Sequence, residues 1–450
     1  MTVNDGVAAH LARRALEVRQ QPLSIEIEAA ARNVLLDWLA ATLGGSAEPI
    51  VSALLDGLEP GSGSSRIVGR DLRAVPSLAA LVNGTAAHTL ELDDIYAPGL
   101  FHPGAPVIAA ALAVADQRDV TVGRLLRAIV VGYEVGGRLS ADLGPTHYRH
   151  WHTTGTAGAV AAAAAVADLE ELDHERLAHA LSLAATTCGG VQQTFRSDAA
   201  GKPLHSGAAA QAGVVAVAAA RGGVTGAADV FEGPAGLAAA TGTTTDWAAS
   251  RSCDGPLVIE RITVKPYQCC GHTFAAIDAA LELRARGIDP ARIEQITIDT
   301  YSAAVSTAGI AAPRTDAERR FSLAHLVSAG LVLGAEAMFG DDAPADPIVQ
   351  HLVPRVRLSV DETYDARFPA HRGARVRAEL AGGDVRVCDV PDRSGSPERP
   401  LSAERLADKF AATAAPVLGA RAADVYATVL ALDPNLPVSS LPVRPSNNRG

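Results

Sequence analysis

Three stretches of the chain gather residue types that bind anions or move protons. The first is Glu91-Leu92-Asp93-Asp94 at the end of a helical pattern, followed by a loop to His102-Pro103-Gly104. Carboxylates bunched before a histidine can orient an imidazole or fix its protonation state, although a solvated helix end has the same composition. The second is His147-Tyr148-Arg149-His150-Trp151-His152-Thr153-Thr154-Gly155-Thr156, just ahead of an alanine-rich helix. Its histidines could be metal ligands, but no carboxylate spacing accompanies them. His152 and the threonines at a helix N-terminus make a natural anion site, so an anion is expected there and a metal is not. The third pairs Gly201-Lys202-Pro203-Leu204-His205 with Lys265-Pro266-Tyr267-Gln268-Cys269-Cys270-Gly271-His272. Both lysines precede proline, which favours an extended backbone, and each leads into a helix. Two ammonium groups and several imidazoles suit a site that binds a carboxylate and transfers protons.

The lysine count sharpens this reading. Lysine stands only at 202, 265 and 409, so 36 of the 39 basic residues are arginine. A lysine kept against that bias is a candidate for work arginine cannot do: a compact ammonium, rotatable donors or a tunable pKa. Other chemistries lack their signatures. No G-x-x-x-x-G-K and no G-x-G-x-x-G after a strand is present to cradle nucleotide phosphates, and no G-x-S-x-G elbow occurs. His174-Glu175 with His179 misses the H-E-x-x-H spacing by one residue, which rotates the histidines off a common face.

Composition narrows the class further. Basic residues number 39 against 50 acidic, a net charge of −11, which argues against a nucleic-acid partner. Five cysteines in 450 residues make neither a disulfide framework nor a C-x-x-C zinc pattern. Met1–His10 has no basic segment followed by an apolar run, and the alanine-rich stretch 157–166 is too short to span a bilayer. The expectation is a cytoplasmic protein with no membrane partner.

The elements that must position these residues fall into two textures. Up to about residue 260 helix follows helix: 24–43, stopped by Gly44-Gly45, then 76–92, 105–115, 122–139, 154–169, 175–186 and 204–221. Near 258 the pattern changes to period two, in 258–264 and 293–299, with further strands at 356–360 and 374–380. Gly382-Gly383 then turns the chain into 385–390 as a hairpin, and helices at 273–286 and 321–333 are interleaved. The predicted fold is mainly α with an α+β second domain. An all-helical domain, residues 1–262, is rejoined by 395–440; a smaller α+β domain covers 263–394; and 441–450 reads as a disordered tail.

The ordered motifs resemble a known family. Asn83-Gly84-Thr85-Ala86-Ala87-His88-Thr89-Leu90-Glu91-Leu92-Asp93-Asp94 is similar to the N-terminal signature of the MmgE/PrpD family, which includes 2-methylcitrate dehydratase and cis-aconitate decarboxylase. His102-Pro103-Gly104, the segment His152–Thr156, Lys202-Pro203-Leu204-His205-Ser206-Gly207, Lys265-Pro266-Tyr267 with Ile277-Asp278-Ala279, and Phe321-Ser322-Leu323 resemble further blocks. The resemblance implies a helical domain with an α+β lid, a homodimer, and no cofactor. It implies that Asp93, His102, His152, Lys202 and Lys265 carry the catalysis between domain and lid. Around them Glu91, Asp94, Ile95, Thr154, Tyr267, Cys270, His272 and Phe274 are expected to bind substrate. Ile95 stands where the family often has threonine and Phe274 where it often has histidine, which argues against the usual tricarboxylates. The implied activity is a cofactor-independent lyase, dehydratase or decarboxylase, acting on a carboxylate-bearing small molecule. An epimerase using the same proton abstraction, or a binding protein that lost the chemistry, are the alternatives.

Overall fold

The computed structural model describes residues 6–196, 199–339 and 346–443. The chain divides into two compact units, Met1–Val264 with Ala403–Gly450, and Lys265–Ser402. The fold is mainly helical, with a small mixed sheet confined to the second unit and one short hairpin in the first.

The first unit is built around the helix Thr153–Leu169, every residue of which is buried. A run of Ala and Gly lets four helices close on it: Gly104–Arg118, Val122–Tyr148, His174–Thr187 and Lys202–Arg221. Start signals follow the sequence, with Ser24, Thr121 and Asp173 accepting from backbone N–H groups of their own first turns. The helices Pro76–Thr89 and Lys202–Arg221 cross backbone to backbone, because a Cβ on Gly207 would lie 2.2 Å from the Leu81 carbonyl oxygen. That crossing fixes where the Lys202 helix begins.

Several expectations are corrected here. Gly44-Gly45 does not stop its helix, which runs Ile25–Ser46; a Cβ on Gly45 would sit 2.0 Å from the Ala86 carbonyl oxygen, so this glycine serves close packing. The segment 258–264 is not a strand. Val258–Arg261 forms one turn of 3-10 helix, with adjacent Val258 and Ile259 both buried, and only Thr263 pairs as a bridge, with Ile95. The first unit is not purely helical, since β1 (Ser65–Ile67) and β2 (Leu72–Ala74) form an antiparallel hairpin. Leu441 and Val443 are buried in the first unit's core, so the expected tail does not begin at 441; residues 444–450 lie outside the described residues.

The second unit carries a four-stranded sheet, ordered β4-β3-β5-β6, from β3 (Ile293–Thr300), β4 (Val356–Val360), β5 (Ala374–Leu380) and β6 (Val385–Val390). β4 runs parallel to β3, while β5 is antiparallel to both β3 and β6. Gly382 and Gly383, at φ +97° and +85°, make the β5–β6 turn that a side chain would strain. Ile296, Ile298, Val376 and Ala378 bury one sheet face against the helices Phe274–Ala285 and Leu323–Val332. Among the described residues no single helix is long and apolar enough to cross a membrane. The bent pair Ile25–Ser46 and Pro49–Leu58, turned by 76°, passes that test only jointly, and residues 34–46 of it are core.

Candidate active site

In the first unit the chain emerging from the helix Pro76–Thr89 doubles back through Glu91, a non-glycine residue at φ +57°. The turn folds Asp93 under the last helical turn, where its Oδ2 lies 2.6 Å from His88 Nδ1. The same oxygen is 3.6 Å from His102 Nδ1, and both Asp93 and His88 are buried. His102 Nδ1 donates to the Asp94 carbonyl at 2.8 Å. Because that acceptor has no proton to give, Nδ1 carries the hydrogen, and in the neutral ring the basic nitrogen is Nε2. Thr154 accepts from the His102 backbone N–H at 3.2 Å, which ties this loop to the alanine helix.

His152 is the N-cap residue of that helix, as its sequence position implies, and its side chain makes no cap bond. Its ring stacks on His88, with centroids 5.3 Å apart, and its Nδ1 meets His205 Nδ1 at 3.3 Å. Burial, then the charges and rings of His88, Lys202, His102 and His205, hold His152 well below the ordinary imidazole range. His205 is lowered by burial and by His88 and Lys202. Lys202 begins its helix rather than lying extended before it, since Pro203 in the first turn removes no helical bond. It is ion-paired with Glu91, and one turn on, His205 shares its face. Burial is the largest single influence on the Lys202 pKa and lowers it, but Glu91, Tyr148 and Asp93 together hold the ammonium above its usual range.

Other expected residues have different duties. Both oxygens of buried Asp94 are engaged, Oδ1 by the Gly104 N–H at 2.9 Å and Oδ2 by the Tyr133 hydroxyl at 2.7 Å. Burial outweighs these donors and pushes the Asp94 carboxyl up to about 7. Ile95 is buried, and its backbone exchanges two 2.8 Å bonds with Thr263. The three histidines of the second stretch part company: His147 bonds Thr156 Oγ1 at 2.8 Å, His150 is exposed, and only His152 joins the cluster. Lys409 is a buried partner of Asp37.

In the second unit Lys265 is buried. The Tyr267 hydroxyl donates to Asp278 Oδ1 at 2.7 Å, while Ser394 N–H holds the other oxygen at 2.7 Å. Cys270 N–H donates to the Arg320 carbonyl at 3.0 Å. His272 Nδ1 meets the Tyr301 hydroxyl at 2.9 Å. Phe274 is fully buried in an apolar cluster with Tyr267 and Leu326, under the Arg393 guanidinium.

Sequence reasoning passed over His88 and Tyr133 as site residues, and gave His205, though part of the third stretch, no role of its own. The signal for His88 was present: a histidine in a last helical turn with a carboxylate five residues on. As for metals, His88, Asp93 and His102 each offer a ligand atom, all within 4.8 Å of one another. Both imidazole Nδ1 atoms already bond oxygen.

The MmgE/PrpD N-terminal domain model matches residues 9–250, and the MmgE/PrpD C-terminal domain model matches 267–432. The chain is 26% identical to the cis-aconitate decarboxylase-like protein oryM of Aspergillus oryzae, over 98% of both chains. It is 27% identical to mouse cis-aconitate decarboxylase, over 79% of this chain and 75% of the relative, and 29% identical to the human one over 46% and 44%.

Proposed function

The chain belongs to the MmgE/PrpD family, and from that premise we propose that it is a lyase, removing water or CO₂ from a carboxylate-bearing small molecule without a cofactor. The observation that carries this reading is the buried Asp93 between His88 and His102, with a neutral His152 stacked beside it. His102 Nε2 takes or returns a proton at the carbon next to the carboxylate. In dehydration the C–H electrons form the double bond, and the β-hydroxyl leaves as water with the proton that His102 has just taken from carbon. In decarboxylation the C–CO₂ electrons stay on carbon, and His102, after taking up a proton from solvent at Nε2, reprotonates it. Both routes build an enolate-like charge that an ammonium stabilises, which suits Lys202; Lys265 enters this reading through the family resemblance. The homodimer implied by the same resemblance and a cytoplasmic setting belong to the reading.

The test is turnover in D₂O, followed by proton NMR, on a panel beginning with cis-aconitate and 2-methylcitrate and extending to larger, less charged acids. Turnover of at least one acid, or deuterium uptake beside a carboxylate, is expected. A panel with neither turnover nor exchange, from folded protein, would sink the reading.

A further inference from the structure

The second unit buries cations and rings that the proton-transfer cluster does not use. Arg372, 8% exposed, lies with its guanidinium carbon 5.5 Å from the centre of the Phe368 ring, and its Nε is buried without a hydrogen-bond partner. Tyr301 stacks on the same Phe368 with centroids 4.8 Å apart, and its hydroxyl meets His272 Nδ1. Arg393, also buried, donates to the Gly271 carbonyl at 2.8 Å. Asp392 is committed to His371, Asp389 to Arg375 and Tyr364, and Asp365 to Ser302, while exposed Glu398 acts on Arg393. Among the described residues Arg372 forms no ion pair. A guanidinium out of water without an anion is costly, and a second cation nearby adds to the cost. Burial, then Arg372 and Arg393, hold His272 down at about 3, so its ring is neutral. In the tautomer whose Nδ1 accepts from the Tyr301 hydroxyl, Nε2 carries the hydrogen and can donate to a carboxylate.

We propose that Arg372, with His272 and Tyr301 beside it, is a carboxylate-binding site of the second unit that takes an organic acid bearing ring or hydrocarbon surface. The planar fork matches a carboxylate's two oxygens, and the Tyr301–Phe368 stack supplies an apolar wall. The site stands on residues of one unit and does not need the lyase reading. Only its assignment to the carboxylate of the reacting acid rests on that reading.

Phenylacetate and succinate serve as probes, titrated calorimetrically and by thermal shift into the full chain and into Arg372→Met and Arg372→Lys. Phenylacetate is expected to bind more tightly than succinate and to raise the melting temperature. Arg372→Met is expected to weaken phenylacetate roughly 10- to 100-fold, and Arg372→Lys nearly as much, since an ammonium has no fork. Without ligand, Arg372→Met should melt no lower than the parent, because it removes a buried charge that nothing neutralises. A purely structural arginine would do the opposite. Kinetics separate the two sources of the carboxylate: a raised KM at unchanged kcat assigns it to the reacting acid, whereas an unchanged KM, with phenylacetate still binding under saturating acid, assigns it to a separate molecule. No probe binding to the parent, or affinities within twofold in both variants, would overturn the proposal. Because the probes are read on resting protein, failure to find turnover leaves this outcome intact.

Discussion

His88 and Asp93 are joined by a 2.6 Å hydrogen bond that spans five residues, from the last turn of a helix to the loop that follows it. The bond exists because Glu91 reverses the chain at positive φ, a conformation worth about 1 kcal/mol of strain or more for a residue with a side chain. Its ion pair with Lys202 helps hold it there. One strained residue thus sets both the carboxylate beneath His88 and the anchor of the Lys202 ammonium.

Removing His88 should therefore lower rate more than binding. His88→Leu leaves a buried Asp93 oxygen short of a charge-assisted donor, worth about 1.5–3 kcal/mol. If that loss appears at the transition state, kcat falls roughly 10- to 100-fold. His88→Asn, whose amide N–H can stand near Nδ1, should recover much of it. Steady-state kinetics on a turned-over acid check this; equal losses in both variants would mean that bulk rather than the hydrogen bond matters.

Incubation with a strong chelator should leave activity unchanged. To ligate through Nδ1, His102 would have to abandon the Asp94 carbonyl at 2.8 Å and His88 the Asp93 carboxylate. Loss of activity restored by zinc or iron would assign the His88–Asp93–His102 group to a metal instead.

Much of this molecule was legible in the sequence because helical periodicity is local. The alanine helix Thr153–Leu169 and the hairpin at Gly382-Gly383 need little beyond their own residues. Gly44-Gly45 misled because a glycine that ends a helix and one that admits a neighbouring backbone look alike until Ala86 is in place. Val258 and Ile259 misled because the alternation around them comes from a loop burying adjacent residues, not from a strand. At the site, carboxylates and imidazoles were visible as clusters, but their division of labour was not. Asp93 and Asp94 are neighbours in the chain, yet one faces His88 while the other is spent on Tyr133 and Gly104. Only the packing decides which.

Asp94 gives a pH dependence of stability with a defined sign. Its carboxyl is raised to about 7 in the folded protein, from an ordinary value of 3.8. Between those values the folded state binds more protons than the unfolded state, so this group's contribution is full below about pH 4 and is lost as pH rises through 7. Buried His147, lowered to about 4, acts oppositely, contributing above pH 6.5 and losing that contribution as pH falls. The contrast between parent and Asp94→Asn isolates the first term. The parent's melting temperature relative to the variant's should drop from pH 5 to pH 8, whereas a constant difference would show that Asp94 stays ionised throughout.

Lys409 is a buried charge at the base of the site loop. Its ammonium is ion-paired with Asp37 and donates to the Leu92 carbonyl at 2.9 Å, with Lys409 2% and Asp37 1% exposed. This pins the C-terminal helix Ala403–Leu418 to the loop between Glu91 and Asp93, and a longer, planar guanidinium has no room to repeat it. Lys409→Met takes the ammonium away from a buried carboxylate and is expected to cost about 3–5 kcal/mol. Asp37→Leu combined with Lys409→Met removes both charges together, so the double variant should be more stable than Lys409→Met alone. Denaturant unfolding of the four proteins of this cycle measures the coupling. The double variant should nonetheless turn over slowly, because Leu92 loses its donor and the neighbouring Asp93 its fixed loop. If Lys409→Met costs less than about 1 kcal/mol, Asp37 is protonated in the parent and the pair is a neutral hydrogen bond.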